Sequence, residues 1–332
     1  MATITKLKSG NYRIRKTYNG EAYAVTINYC PTKKEADRLI FEMINKQAKP
    51  IGPILFKTAA TEYIDMKRPV LSPSTIRGYL CDFKTFDKHI LETKITKFDS
   101  NKIQHIINEM AGRGLSPKTI KNRVNFIISV LRSKRPDIII RIQYPKQNKE
   151  EPYIPNDKEY SALLKHAAGT PYEIPLYLAG MGLRLSEICA LTIDDVSEDG
   201  ISITKAKVRD ENDNYVITNR NKTDKSCRFV ALPKTIINLI KEQGYIYEGS
   251  PQRITAFIHR SAKCLNINDF SIHKLRHYFA TKAHSLMIPD SSILKTGGWK
   301  TDHVMKAVYR HADQDIIKHD MKKLNDHISS LT

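Results

Sequence analysis

Gly182-Leu-Arg184-Leu-Ser-Glu187 lies near the end of one helical stretch and His273-Lys-Leu-Arg276-His277 lies within a later helical region, and the interval between them decides the fold of the C-terminal half. Upstream, Asn156 with Glu159 caps a helix carrying Leu163 and Leu164, and a helical stretch runs from about Tyr172 through the Gly180-Met-Gly182 turn to Leu191. Downstream the period drops to two in three strand candidates: Ile201-Ser-Ile203 with an extension to Val208, Tyr215-Val-Ile217, and Arg228-Phe-Val-Ala-Leu232. Turns rich in Asp, Asn and Lys separate them, and the remainder reads as helix. Residues 152–332 are therefore predicted to form a mainly α domain with a small three-stranded sheet.

Toward the N-terminus, Tyr144-Pro-Lys-Gln-Asn-Lys-Glu-Glu-Pro152 is polar and flanked by prolines, which marks a linker. Before it, apolar residues recur at helical spacing: Phe56, Ala59, Ala60 and Tyr63; Ile76, Tyr79, Leu80 and Phe83; Ile103, Ile106, Ile107 and Met110; Ile120, Val124, Ile127, Ile128 and Leu131. Four or five helices are predicted over 53–143. Two of them open alike, Leu71-Ser-Pro-Ser-Thr-Ile76 and Leu115-Ser-Pro-Lys-Thr-Ile120, with Ser as N-cap and Pro at the first helical position. A second linker, Lys49-Pro-Ile-Gly-Pro53, precedes them. In residues 1–49, Tyr12, Ile14, Tyr23, Val25, Ile27 and Tyr29 alternate around Asn19-Gly20, a hairpin pattern to which Ile4 to Leu7 adds a third strand. Thr32 and Glu35 then frame a capping box ahead of Ala36, Leu39, Ile40, Met43 and Ile44. The whole chain is thus predicted as α+β and multidomain: a small sheet backed by a helix, an all-α domain, and the mixed C-terminal domain.

Lys and Arg outnumber Asp and Glu by 54 to 35, a formal charge of +19 that favours a polyanionic partner, nucleic acid first. Lys6, Lys8, Arg13, Arg15 and Lys16 crowd the N-terminal sheet, as in strands that enter a DNA groove. The five cysteines, Cys30, Cys81, Cys189, Cys227 and Cys264, form no CxxC pair, so neither a zinc site nor a disulfide framework is indicated and a reducing cytoplasm is expected. Met1 to Lys16 contains no apolar signal core, and no later segment has the apolar length to cross a bilayer. No GxxxxGK[ST] loop or clustered carboxylates point to ATP or metal chemistry.

Four separated segments line up in one order: Gly182-Leu-Arg184-Leu-Ser-Glu187, Asn221-Lys222-Thr223, His273-Lys-Leu-Arg276-His277, and Trp299 followed by Tyr309-Arg-His311. Any one of these residues has an ordinary structural explanation; the ordered set resembles the tyrosine recombinases, whose pattern is arginine, lysine, His-x-x-Arg, His or Trp, then the nucleophilic tyrosine. Gly297-Gly-Trp299 stands where Leu-Gly-His is commoner in that family, so the donor there is an indole. Lys225 is a nearby alternative to Lys222, which the spacing to Ser226 and Arg228 favours.

The resemblance implies attack by Tyr309 on a phosphodiester, through a doubly charged phosphorane that cations must stabilise. Arg184 and Arg276 suit this because a guanidinium offers paired donors to two phosphate oxygens and keeps its charge. Lys222 becomes the general acid for the departing 5′-hydroxyl, His273 the acceptor of the Tyr309 proton or a donor to phosphate, and Trp299 an indole donor. Glu187 orients a neighbouring catalytic group. The family needs neither cofactor nor metal. It further implies an arm-type DNA-binding domain at 1–49, a core-binding domain at 53–143 and a catalytic domain at 152–332, as in integrases of phages and conjugative transposons. Implied partners are double-stranded DNA at core and arm sites, a homotetramer on DNA, and DNA-bending and excision factors. Ile316, Ile317, Met321, Leu324 and Ile328 form a tail stripe suited to a neighbouring protomer. The weighed alternatives are a catalytically silent DNA-binding regulator and a type IB topoisomerase-like enzyme.

Overall fold

The computed structural model of the chain describes residues 2–18, 21–47, 54–147, 153–219, 227–299 and 329. The chain divides into two compact units, Met1–Asp65 with Thr85–Pro145, and Met66–Lys84 with Lys146–Thr332. Its first elements are β1 (Thr3–Lys6), β2 (Tyr12–Tyr18), β3 (Glu21–Ile27), α1 (Lys33–Gln47), α2 (Phe56–Lys67), α3 (Pro73–Lys84), α4 (Lys88–Leu91), α5 (Ser100–Gly112) and α6 (Pro117–Lys134).

In the first unit, β1, β2 and β3 form an antiparallel meander in which Ile14 faces Ile4 on one side and Val25 on the other. The alternation places Ile14 inward, fully buried with Ala36 and Ile40 of α1. Asn19-Gly20 lies outside the described residues, but the strands it joins are paired from Tyr12–Ile27 to Tyr18–Glu21. Thr32 Oγ1 accepts the Glu35 amide at 3.3 Å and starts α1. The helical stretches bury Phe56, Ile103, Ile106, Val124 and Ile127 completely. Ser116 caps α6 by accepting the Thr119 amide at 3.2 Å, with Pro117 in the first turn. Arg135 then donates to the carbonyls of Ile95 and Phe98 at 2.9 and 2.8 Å and ties the end of α6 to the turn before α5.

In the second unit α3 is followed by α7 (Asp157–Ala167), α8 (Glu173–Gly180), α9 (Leu185–Ile188), β4 (Gly200–Ile203), β5 (Lys205–Arg209), β6 (Tyr215–Asn219), β7 (Arg228–Ala231), α10 (Lys234–Gln243), α11 (Pro251–Leu265), α12 (His273–Ser285) and α13 (Asp290–Gly297). Leu163, Ile174, Leu178, Ile188, Ile203, Ile240, Ile258 and Leu275 meet in its core, all fully buried. The reciprocal capping box of Asn156 and Glu159 starts α7, with contacts of 3.0 and 2.8 Å.

The turn expected at Gly180-Met-Gly182 divides the stretch from Tyr172 to Leu191 into two helices, because Gly182 adopts φ +89° and turns the chain between α8 and α9. One expectation needs correction. The three-stranded sheet is, among the described residues, two separate antiparallel ribbons, β4 with β7 and β5 with β6. The alternation from Ile201 to Val208 runs through Thr204 without a turn residue, yet the chain leaves one ribbon and enters the other there. A second hairpin is possible because the Asp210 side chain accepts the amides of Asn212 and Asn214, both at 2.9 Å, and Asp213 takes φ +64°. Arg77 of α3 reaches this turn, with Nε 2.7 Å from Asp213 Oδ1. No helix among the described residues is long and apolar enough to cross a membrane.

Candidate active site

His273 and Arg276 sit in the first turn of α12, a helix anchored by the fully buried Leu275 and Ala280. The Arg276 side chain runs inward and is only 1% exposed. It donates to the carbonyl oxygens of Gly182 and Gly297. Both acceptors are glycines for a spatial reason: a Cβ at 182 would lie 2.7 Å from the Phe279 ring, and one at 297 would fall within the Trp299 indole. Trp299 covers the guanidinium, its ring centre 3.8 Å from Arg276 Cζ, and stacks on Phe279 at a centroid separation of 6.3 Å.

Arg184 stands at the N-cap of α9, where its amide donates to Glu187 Oε2 and its Nη1 to Glu187 Oε1, both at 2.8 Å. Its Nη2 donates to the carbonyl of Gly298 at 2.8 Å. Glu187 is fully buried and is also held by Arg228 of β7, whose Nη1 and Nη2 lie 3.1 and 2.8 Å from its two oxygens. Arg228 Nε donates to Thr296 O at 2.6 Å. Three successive carbonyls at the end of α13, Thr296, Gly297 and Gly298, thus accept from Arg228, Arg276 and Arg184 in turn. A helix C-terminus carries unsatisfied carbonyls and partial negative charge, so it collects cations. Gly298 permits this by taking φ +63° as the left-handed cap of α13.

Burial opposes ionisation of Glu187, but the hydrogen bonds and charge of Arg228, and then those of Arg184, outweigh it and hold the carboxyl at about 2. Burial and then the charges of Arg276, Arg184 and Lys274 push the His273 imidazole below its ordinary value, so it is neutral at pH 7. His277, whose ring meets His273 edge to face at 4.8 Å, is pushed down to about 4 by burial and then by His273, Lys274 and Arg276. The cluster therefore combines fixed cations with a neutral imidazole, a set able to bind an oxyanion and accept a proton.

Of the residues singled out in the sequence, Arg184, Glu187, His273, Arg276 and Trp299 come together here, from α9, α12 and the segment after α13. Lys222, its alternative Lys225, Tyr309 and the apolar tail stripe lie outside the described residues. The sequence pattern does not single out Arg228 as a site residue, although its position carries a signal. It shares a strand face with Val230, which is 1% exposed, whereas Phe229 between them is 51% exposed. An arginine on the buried face of a strand needs an acidic partner inside.

Residues 156–315 match the model of the phage integrase family. No curated protein matches the chain. Among solved structures, the fold is similar to the Tn1549 transposon integrase in complex with transposon right end DNA, at 18% identity and a TM-score of 0.68, over 82% of this chain and 100% of that one. It is also similar to a lambda integrase tetramer bound to a Holliday junction, at 12% identity and a TM-score of 0.57, over 92% and 94% of the two chains. A third likeness is to XerH site-specific recombinase bound to a palindromic difH substrate, at 15% identity and a TM-score of 0.52, over 86% and 88%.

Proposed function

We propose that this chain, which belongs to the phage integrase family of tyrosine recombinases, integrates and excises a mobile element by site-specific strand exchange. The observation that carries the reading is the convergence of Arg184, His273, Arg276 and Trp299, far apart in sequence, on one cluster of guanidinium and imidazole groups. Such a cluster fits a phosphodiester whose negative charge grows during displacement.

In the proposed reaction the Tyr309 oxygen attacks the scissile phosphorus, the bond to the 5′ oxygen breaks, and a 3′-phosphotyrosine forms. His273, neutral at pH 7, takes the tyrosine proton, and Lys222 gives a proton to the departing 5′-hydroxyl. Arg184 and Arg276 neutralise the non-bridging oxygens, and Trp299 packs on Arg276 and offers its indole N–H. A 5′-hydroxyl from the partner duplex reverses the displacement and releases Tyr309. The phosphodiester energy stays in the phosphotyrosine, so ligation needs no nucleotide.

The N-terminal sheet, with Arg13, Arg15 and Lys16 on β2, is proposed to take arm-type DNA, and the helical stretch over 53–143 with the catalytic half to take core sites. The +19 charge supports binding to both. Assembly as four protomers through a Holliday junction, aided by DNA-bending and excision factors, is part of this reading, as is action in the cytoplasm on the host DNA. The complete set of residue types speaks against a silent regulator, and the basic N-terminal unit against a topoisomerase acting alone.

The test is covalent capture. Protein is incubated with EDTA and a library of nicked random duplexes, where loss of the short strand blocks religation, and the DNA that survives denaturation on the protein is sequenced. Adducts from the wild type and none from Tyr309→Phe are the expected result. DNA binding without any adduct would establish a silent regulator instead.

A further inference from the structure

We propose that Arg228 is a positioning residue for strand cleavage, which keeps Arg184 available to phosphate by sharing Glu187 with it. This rests on the recombinase reading above. The buried Glu187 carboxylate has four directions in which to accept hydrogen bonds. Arg184 fills one on each oxygen, with its amide and its Nη1. Arg228 fills the other two with Nη1 and Nη2. The Arg228 side chain is 5% exposed and the Glu187 side chain fully buried, whereas the Arg184 side chain is 32% exposed. Arg228 is thus the interior partner and Arg184 the one that faces outward.

That division has a chemical consequence. A lone carboxylate beside a lone guanidinium forms a two-point fork, the strongest geometry available to the pair. Arg228 prevents it by occupying the sites that a fork would need, so Arg184 gives Glu187 one side-chain nitrogen and the Gly298 carbonyl one N–H of another, and keeps its remaining N–H groups for a ligand. The charge balance points the same way: Arg184, Glu187 and Arg228 together carry one net positive charge, and without Arg228 they carry none. Arg228 also binds Thr296 O, two residues before the carbonyl that holds Arg184 Nη2. One guanidinium therefore sets both the acid behind Arg184 and the helix end beside it.

The measurement is single-turnover cleavage of a captured nicked duplex at saturating DNA, for wild type, Arg228→Met, Arg228→Lys and Arg228→Met combined with Glu187→Gln, with thermal unfolding of each. Arg228→Met should cleave about 10- to 100-fold more slowly, the range seen when a residue that supports a site residue is lost. Lysine cannot span both Glu187 oxygens and Thr296 O, so Arg228→Lys should fold and still be slow. The Gln exchange in the double variant removes the charge that captures Arg184, and cleavage should recover while Kd for the duplex stays constant. A role confined to folding predicts differently: rates per folded molecule would be equal across the set, and the double variant would recover stability alone. Wild-type rates in folded Arg228→Lys, or no gain in the folded double variant, would overturn the proposal. If the wild type itself gave no Tyr309-dependent adduct, the recombinase reading would fail instead, so the two failures are told apart.

Discussion

Arg276 lies beneath Trp299, its Cζ 3.8 Å from the centre of the indole, and at the same time donates to the carbonyl of Gly297 two residues before that ring. The short Gly297-Gly298 turn folds the indole back over the guanidinium. A cation–π contact of this kind contributes on the order of 1–2 kcal/mol when shielded from water. Trp299→Ala should lower unfolding free energy by at least that amount, and Trp299→Phe by less, since a phenyl ring can still stack on Phe279. Urea unfolding of the two variants checks the order. In single-turnover cleavage both should be slower than wild type, because neither side chain has an N–H to donate.

Arg184→Lys and Arg276→Lys keep the charge but lose the planar fork, and each should reduce cleavage by roughly 100- to 1000-fold, the loss expected when one preorganised donor to a developing oxyanion is removed. The two variants should differ in stability. Arg276 is buried and satisfies two backbone carbonyls, so its replacement leaves buried acceptors unpaired and costs about 1–3 kcal/mol, whereas Arg184 is partly exposed. Thermal unfolding beside the cleavage assay separates the effects.

The glycines give a geometric test. Gly182 and Gly244 both have positive φ, +89° and +75°, but a Cβ at 182 meets the Phe279 ring and one at 244 meets nothing within 4 Å. Backbone strain alone is about 1–3 kcal/mol at either position. Gly244→Ala should therefore cost stability and leave cleavage intact, while Gly182→Ala should also displace the carbonyl that holds Arg276 and slow cleavage. Equal cleavage by the two variants would mean that the Gly182 carbonyl does not set the Arg276 position.

Why some of this was legible in the sequence and some was not follows from range. The hairpin of β2 and β3, the Ser116 and Asn156 caps, and the helical stripes around Ile103 and Val124 are local patterns whose physical cause lies within a few residues. The ordered residues Arg184, His273, Arg276 and Trp299 were legible because their types and order together are specific. The break at Thr204 was not, because pairing partners choose a strand's ribbon and alternation does not name them. The bridge from Arg228 to Glu187 spans 41 residues, and nothing local in β7 identifies its acid. The roles of the Gly182, Thr296, Gly297 and Gly298 carbonyls belong to the backbone, which every residue type carries alike.

His273 and His277 of α12 give the cluster a pH dependence whose sign is fixed. His277 titrates at about 4 in the folded chain, below the 6.5 of a free imidazole. Between those values the unfolded chain binds a proton that the folded chain refuses, so stability rises with pH through this window and falls on acidification, by up to about 1.4 kcal/mol per pH unit for one group. Above 6.5 the histidine adds no slope. Glu187 acts in the same direction at lower pH, since its carboxyl is held at about 2 and the stabilisation it gives is lost only as pH falls from its ordinary value toward that one. His277→Phe should flatten the upper window and leave the lower one. In the proposed mechanism the relevant group is His273, also shifted down, so cleavage should hold its rate below pH 6.5 before falling as the imidazole protonates. Unfolding midpoints across pH 2 to 8 and single-turnover rates across pH 4 to 8 measure both, and a rate that already falls at 7 would exclude His273 as the base.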